Sequence, residues 1–212
     1  MPRVSPEHEE RRRHQILQAA LACFARRGYH RTTVDEIVVT AGLSKGALYQ
    51  YFKGKEDLFL ALHRRQEEEL RRRVENAFAG EESVKEKLER GAEVFLSSLQ
   101  AEYGDFARIG LEFWAEAPRR PDLGEKFREG YTEWQAFLSR VIARGVRSGE
   151  FRADLNCEAL ASAILGVCDG LTLHRVIHGE LFDPKEVQAV FLSSLLRGIA
   201  AKGRPSRSRR KK

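Results

Sequence analysis

Cysteine, proline and histidine are scarce in this 212-residue chain. The small numbers of cysteines and histidines argue against disulfide bonds and metal sites. The three cysteines, Cys23, Cys157 and Cys168, are odd in number and show no C-x-x-C spacing, so neither a disulfide framework nor a zinc site is expected. The histidines form no E-x-x-H or H-x-x-H pair, and we therefore predict no metal site. Glu112 and Glu116, one helical turn apart, are interpreted as a salt-bridged surface pair.

Long apolar runs are also absent. No stretch approaches the ~18 consecutive apolar residues of a membrane span, and the first residues lack the apolar core of a secretion signal. We therefore expect a soluble, cytoplasmic protein without a membrane partner. No window alternates apolar and polar residues over the length of a strand, whereas i, i+3, i+4 apolar spacing recurs along most of the chain. The predicted fold class is all-α.

The formal net charge of +6 comes from one end of the chain. Residues 202–212 hold seven basic residues and no acidic one, so the rest of the chain carries a net charge of −1. This composition predicts a disordered basic tail. Two interpretations stay open for it: added sequence-independent DNA affinity, or a solvated tail without a role.

Helix-start and helix-stop residues divide the first third of the chain. A helix is expected from near Glu9 to a cap at Gly28. Thr33-Val-Asp-Glu36 is a capping box for a helix over 34–41, and Gly42 ends that helix. Ser44 is a suitable N-cap for a second short helix through about Phe52. The predicted domains are 1–55, 56–201 and the tail 202–212.

Two short helices joined by a glycine turn are typical of the helix-turn-helix, which places its second helix in the DNA major groove. On that helix Ala47 could contact a thymine methyl, Gln50 an adenine edge, and Lys45 a guanine or a phosphate. Tyrosines and lysines nearby suit phosphate oxygens. The same spacing also occurs in plain packing units, so the pattern alone leaves both interpretations open.

The residues from Thr32-Thr33 through Ile37 to the unbroken run AGLSKGALYQYFKGKEDL, 41–58, resemble the signature of the TetR (tetracycline repressor) family. The resemblance implies a three-helix N-terminal DNA-binding domain, a C-terminal helical ligand-binding and dimerisation domain, and an Ω-shaped homodimer on a palindromic operator. With the N-cap serine, the candidate DNA-binding residues are Thr33, Ser44, Lys45, Gly46, Ala47, Tyr49, Gln50, Tyr51 and Lys55.

The middle of the chain is rich in aromatic residues, which favours core packing or, given the family, an apolar effector cavity. Candidate ligand-binding residues are Phe95, Phe106, Phe113, Trp114, Tyr131, Trp134, Phe137, Asp169 and His174. Stretches such as Leu111-Glu-Phe-Trp-Ala-Glu-Ala117 are similar to betaine- and fatty-acid-responsive members. The first candidate effector is therefore a long-chain acyl-CoA or fatty acid, and the second a lipophilic drug; no cofactor is expected.

The two last apolar segments, 156–178 and the helix that starts at Asp183-Pro184, predict a dimer interface. The helix from Glu56 to Phe78 is expected to link effector binding to the DNA-binding heads. Two other functions stay open on the sequence alone. A helical enzyme would need a convergent acid–base or metal cluster, which the sequence lacks. A ligand-independent architectural DNA-binding protein would use the basic charge without the cavity.

Overall fold

The computed structural model describes residues 5–100, 103–181 and 183–201. Within them the regular structure is helical, apart from one antiparallel bridge between Phe151 and Ala200, so the predicted all-α class is confirmed. The α-helices are α1 (Pro6–Arg27), α2 (Val34–Ala41), α3 (Lys45–Tyr49), α4 (Lys55–Phe78), α5 (Val84–Gln100), α6 (Tyr103–Glu116), α7 (Pro121–Ser148), α8 (Cys157–His178) and α9 (Pro184–Ile199). The predicted basic tail, 202–212, lies outside the described residues.

Local capping sets the geometry of the N-terminal helices. The Thr33 hydroxyl accepts a hydrogen bond from the backbone N–H of Glu36, and the Glu36 carboxylate accepts one from the N–H of Thr33. Gly42 ends α2 in the left-handed conformation, at φ 64° and ψ 37°, which suits a residue without Cβ. Ser44 then caps α3 by accepting from the N–H of Ala47 at 3.1 Å. The predicted order of helix, glycine turn and helix is confirmed.

Two predicted helix bounds were wrong. The first helix begins at Pro6, not near Glu9, because Ser5 caps it and Pro6 occupies a first-turn position where no N–H is needed. The second short helix ends at Tyr49, three residues before the expected end. It is followed by a turn in which the backbone N–H groups of Tyr51 and Phe52 both donate to the carbonyl of Leu48.

Two hydrophobic clusters form the core. The first joins α1, α2, α3 and the first turns of α4, and it also includes Phe106, Ile109 and Phe113 of α6. The second joins α5, α7, α8 and α9 around Ile142 and Ala161. The first cluster extends past residue 55, through Leu62 on α4, so the division of the chain at residue 55 stays a prediction. We call α1–α3 with their loops the head.

Helix α8 is long and apolar enough to cross a membrane by length and composition, which for a single helix is weak evidence of a span. Only 11% of its most apolar 18-residue window is buried within the single chain. Polar and charged side chains interrupt the apolar sequence of α8. The helix packs most extensively against α7. A helix this apolar must be covered on the side that the single chain leaves exposed.

Candidate functional site

The predicted DNA-reading residues lie together on the outer surface of the head. Thr33, Ser44, Lys45, Gly46, Tyr49 and Gln50 are exposed, whereas Ala47 and Tyr51 are half-buried. Leu48 faces inward and is fully buried, so it fixes the rotation of α3 against the rest of the head. The short helix α3 therefore turns one apolar side chain into the core and the remaining ones outward. This is the arrangement that a reading helix needs.

Two contacts hold this surface in place. The Lys45 ammonium lies 2.9 Å from a carboxylate oxygen of Asp35 on α2, and that hydrogen bond raises the pKa of Lys45, which stays charged. The Gln15 side chain on α1 donates to the carbonyl of Ala41 at 2.7 Å, next to the glycine turn. The C-terminal end of α2 is thus hydrogen-bonded to α1. Asp35 of α2 in turn positions the Lys45 side chain.

Lys55, a predicted DNA contact, is engaged inside the protein. Its ammonium donates to the carbonyls of Tyr29, His30 and Thr32 at 2.8, 3.2 and 3.0 Å. It also lies 4.3 Å from the centre of the Tyr29 ring. Burial lowers the pKa of Lys55. All three ammonium protons are used to close the loop between α1 and α2, so the structure gives Lys55 a structural role, and its role toward DNA stays a prediction.

An apolar cavity of about 470 Å³ lies behind the head, with walls from α4 to α9. Of the predicted ligand-binding residues, six line this cavity: Phe95, Phe106, Trp114, Tyr131, Trp134 and Asp169. The volume is within the range usual for small-molecule sites. The aromatic residues of three different helices therefore converge on one space, as the sequence predicted.

The other three predicted residues do not line this cavity, and a role for them in ligand binding stays a prediction. Phe113 is buried in the first cluster, where its ring stacks on that of Phe59 at 3.5 Å between centres. Phe137 packs against Phe78 in the second cluster. His174 is exposed on α8, with its ring 5.1 Å from that of His178. Helical periodicity identifies an apolar face but does not determine which neighbour that face meets.

Sequence reasoning missed the polar residue best placed to bind a ligand. Gln188 on α9 lines the cavity and is only 7% exposed, and its side-chain oxygen Oε1 has no hydrogen-bond partner among the described residues. Asp169 on α8 lines the same cavity, and burial raises the pKa of its carboxyl to about 6. Burial also raises the pKa of the neighbouring Cys168 thiol to about 12, so that thiol stays protonated. No motif marks Gln188 in the sequence.

A second, polar groove of about 940 Å³ runs between α4 and α7 and adjoins the cavity. The two share part of their lining, including His63, Glu67, Phe127, Arg128 and Trp134. Charged side chains of both signs line the rest of the groove: Arg64, Glu68, Arg71, Glu75, Glu125, Lys126, Glu129, Glu133 and Arg140. A molecule with an apolar part and a charged part could therefore use both spaces.

Helix α6 connects the cavity with the head. One face contributes Gly110 and Trp114 to the cavity, while Ile109 and Phe113 on the other face belong to the first cluster; Phe106 belongs to both. Polar contacts run along the same side. The Arg108 guanidinium donates to the carbonyl of Ala25, at the end of α1.

The loop after α1 is held by α6 as well. His30 Nε2 lies 3.6 Å from an oxygen of Glu112 and 3.3 Å from one of Glu116. These two carboxylates, one turn apart on α6, thus both lie beside the imidazole of a head residue. Within the described residues no group of three or more histidine, cysteine, aspartate or glutamate side chains has an arrangement that could hold a metal ion. A shift of α6 would therefore displace the residues of the head that α6 contacts.

Two family models match the chain, one for each half. Residues 16–62 match the model described as bacterial regulatory proteins of the tetR family. Residues 84–200 match the model of the BetI-type transcriptional repressor C-terminal domain. The first match contains the helix-turn-helix, and the second contains α5 to α9.

Two individual relatives are similar to this chain over most of their own length. The chain is 31% identical over 191 residues to an HTH-type transcriptional repressor of Mycobacterium tuberculosis, covering 90% of this chain and 94% of the relative. It is 27% identical over 185 residues to the fatty acid metabolism regulator protein of Bacillus subtilis, covering 87% of this chain and 94% of that protein.

A solved structure adds the likeness in three dimensions. The transcriptional regulator FadR of Bacillus subtilis, in complex with stearoyl-CoA, superposes with a TM-score of 0.75 at 27% identity, covering 88% of this chain and 98% of the other. The helix-turn-helix, the family models that together span both halves, and these relatives agree. The chain belongs to the TetR family of bacterial transcriptional regulators and is a DNA-binding transcriptional repressor, not an enzyme.

Proposed function

We propose that this protein is a homodimeric repressor that binds a palindromic operator and is released from it by a small, largely apolar effector in the cavity behind the head. The observation that carries the proposal is the double role of α6, which lines the cavity with one face and packs into the head with the other. An effector that favours a different position of α6 would change the position of the head. Operator and effector must then oppose each other by the same coupling energy.

The proposed dimer forms through α8 and α9 and has an Ω shape. Leu173 and Ile177, one turn apart on α8, are 38% and 63% exposed in the single chain, and Val187 and Val190 on α9 are 44% and 63% exposed. Exposed apolar side chains on these two consecutive helices support a two-fold interface, in which each face meets its own copy. This cover also accounts for the small buried share of α8, so that a cytoplasmic, soluble dimer needs no membrane.

Within that dimer, α3 of each protomer is the proposed reading helix in successive major grooves. Ala47 and Gln50 are the proposed base readers, and Tyr49 and Tyr51 contact phosphates. Lys45 enters this surface already paired with Asp35, so it either keeps that partner or exchanges it for DNA. Helix α4 is the connection between the effector cavity and the head that the sequence predicts. Helix α6 supplies a second connection between them, through Phe113 and Glu112.

A long-chain acyl-CoA is the first effector candidate, and a lipophilic drug-like molecule is the second. The apolar cavity suits an acyl chain, and the adjoining polar groove offers cationic side chains, Lys126 and Arg140 among them, to phosphates. The likeness to a fatty acid metabolism regulator supports the same class.

The test is the release of the protein from the DNA upstream of its own gene, followed by fluorescence anisotropy with a labelled duplex. Palmitoyl-CoA should raise the apparent operator Kd by at least ~10-fold, which corresponds to about 1.4 kcal/mol of coupling. The control variant is Gly110→Leu, because Gly110 lines the cavity and a Cβ there meets no atom within 4 Å. It should bind the operator normally and no longer respond.

Operator affinity that no acyl-CoA and no lipophilic compound alters would defeat the proposal. That result would favour a ligand-independent architectural DNA-binding protein instead.

A further inference from the structure

Two hydrogen-bond acceptors, Gln188 and Asp169, are among the residues that line the largely apolar cavity. Gln188 is 93% buried and its Oε1 atom has no partner among the described residues. Buried polar atoms in native proteins are nearly always hydrogen-bonded, so an unpaired one on a residue that lines a cavity indicates a missing partner. A ligand with a donor would supply that partner.

Asp169 is the second acceptor. It lies on α8 and lines the same cavity. No hydrogen bond or ion pair joins its carboxylate to another side chain among the described residues. Glu67, the other carboxylate of the lining, differs, because His63 Nδ1 lies 3.2 Å from it. Burial acts on the Asp169 carboxyl without compensation, since it is the cause that raises its pKa to about 6.

The charge of the lining points the same way. The acidic and basic side chains of the lining, His63 apart, are two carboxylates, those of Glu67 and Asp169, and one guanidinium, that of Arg128. The permanent charges thus sum to −1 when both acids are ionised. A free carboxylate brought into this space would meet like charge, whereas an ammonium would meet opposite charge and aromatic rings such as Trp134.

We infer that Asp169 and Gln188 form an acceptor pair that selects an effector with a hydrogen-bond donor on its apolar skeleton, an ammonium best and a hydroxyl next. This inference rests on the proposed function only in taking the cavity as the effector site. An acyl-CoA meets it if its chain carries a hydroxyl group. A saturated, unsubstituted chain such as that of palmitoyl-CoA fills the apolar part of the cavity but leaves both acceptors unpaired, so it should bind less tightly than a chain of the same length that carries a hydroxyl group.

Three probes of equal chain length test the selection: decylamine, 1-decanol and decanoate at pH 7.5. The readout is intrinsic fluorescence, because the two tryptophans of the chain, Trp114 and Trp134, both line the cavity. Decylamine should bind at least ~10-fold more tightly than decanoate, with decanol between them, since charge-assisted hydrogen bonds are about twice as strong as neutral ones.

Isosteric variants assign the selection to its residues. Asp169→Asn should weaken decylamine binding ~10-fold and change decanol binding little. Gln188→Met should weaken decylamine and decanol and leave decanoate unchanged. The matched control is Thr172→Val, because the Thr172 hydroxyl also borders the cavity but already donates to the carbonyl of Cys168 at 2.9 Å. This control should select as the wild type does.

Decanoate that binds the wild type as tightly as decylamine would overturn the inference, and this comparison needs no variant to fold. Unchanged selection in both Asp169→Asn and Gln188→Met would overturn it as well. The proposed function fails separately. If decylamine binds as expected and no ligand releases the operator, repression is not effector-controlled, although the acceptor pair stands. If palmitoyl-CoA releases the operator and decylamine does not bind, the proposed function stands and the selection by the acceptor pair fails.

Discussion

Replacing Lys55 by methionine tests whether this lysine serves the fold or the DNA. Methionine keeps the length of the apolar stem but removes the ammonium that donates to the carbonyls of Tyr29, His30 and Thr32. A net contribution of ~1.5–3 kcal/mol is typical for hydrogen bonds to a charged group, and a cation–π contact adds ~0.5–1 kcal/mol at an exposed site. Because water can reach the half-buried carbonyls, we expect a loss of about 2 kcal/mol in the free energy of unfolding.

For a chain of this length, that loss lowers Tm by roughly 4–8 °C. Thermal unfolding followed by circular dichroism measures it. Lys53→Met is the matched control, because Lys53 is exposed and no side chain among the described residues pairs with its ammonium. This control should leave Tm unchanged while it weakens operator binding and reduces the slope of log K against log salt by about 0.9 for each phosphate that the protein no longer neutralises.

The opposite result would refute the reasoning. If Lys55→Met unfolds at the wild-type temperature and loses operator affinity as Lys53→Met does, then Lys55 is released from its carbonyls and serves DNA, as the family resemblance implies.

Three further predictions concern the reading helix, the dimer and the cavity. Gln50→Ala should change base preference in a randomised-operator selection, and an unaltered preference would remove Gln50 from the readers. Ile177→Glu places a charge on the exposed apolar face of α8 and should give monomers with much weaker operator binding; light scattering that still shows a dimer would locate the interface elsewhere. The pKa of Asp169 is raised to about 6, so the folded protein binds more protons than the unfolded chain between about pH 4 and 6, and the carboxyl destabilises the fold as pH rises through this window. Asp169→Asn should therefore have a higher urea midpoint than the wild type at pH 7.5 and an equal one near pH 4; equal midpoints at both would contradict the shift.

Features with local causes could be predicted from the sequence. The capping box at Thr33 and Glu36, the turn at Gly42 and the cap at Ser44 each involve residues within four positions of one another, so they could be recognised without knowledge of the fold. The start of α9 at Asp183-Pro184 is of the same kind. These short-range features sufficed to place the helix-turn-helix correctly.

Features that depend on the rotation of one helix against another could not. Phe113 and Trp114 are neighbours in sequence, yet one enters the head and the other the cavity. The acceptors of Lys55 lie 23 to 26 residues away along the chain. Gln188 lies in a helix whose cavity-facing side is decided by contacts with α5. Such partners become visible only once the helices are packed.

The shared use of α6 also limits how this protein could be redesigned as a biosensor. A substitution at Phe106 that reshapes the cavity changes the core of the head at the same time, so new ligand specificity gained there would alter the unliganded affinity for DNA. Among the described residues, the walls formed by α5, α8 and α9 contribute none to that core. Libraries directed at Phe95, Asp169 or Gln188 should therefore retune the input of the sensor while its signal without ligand is preserved.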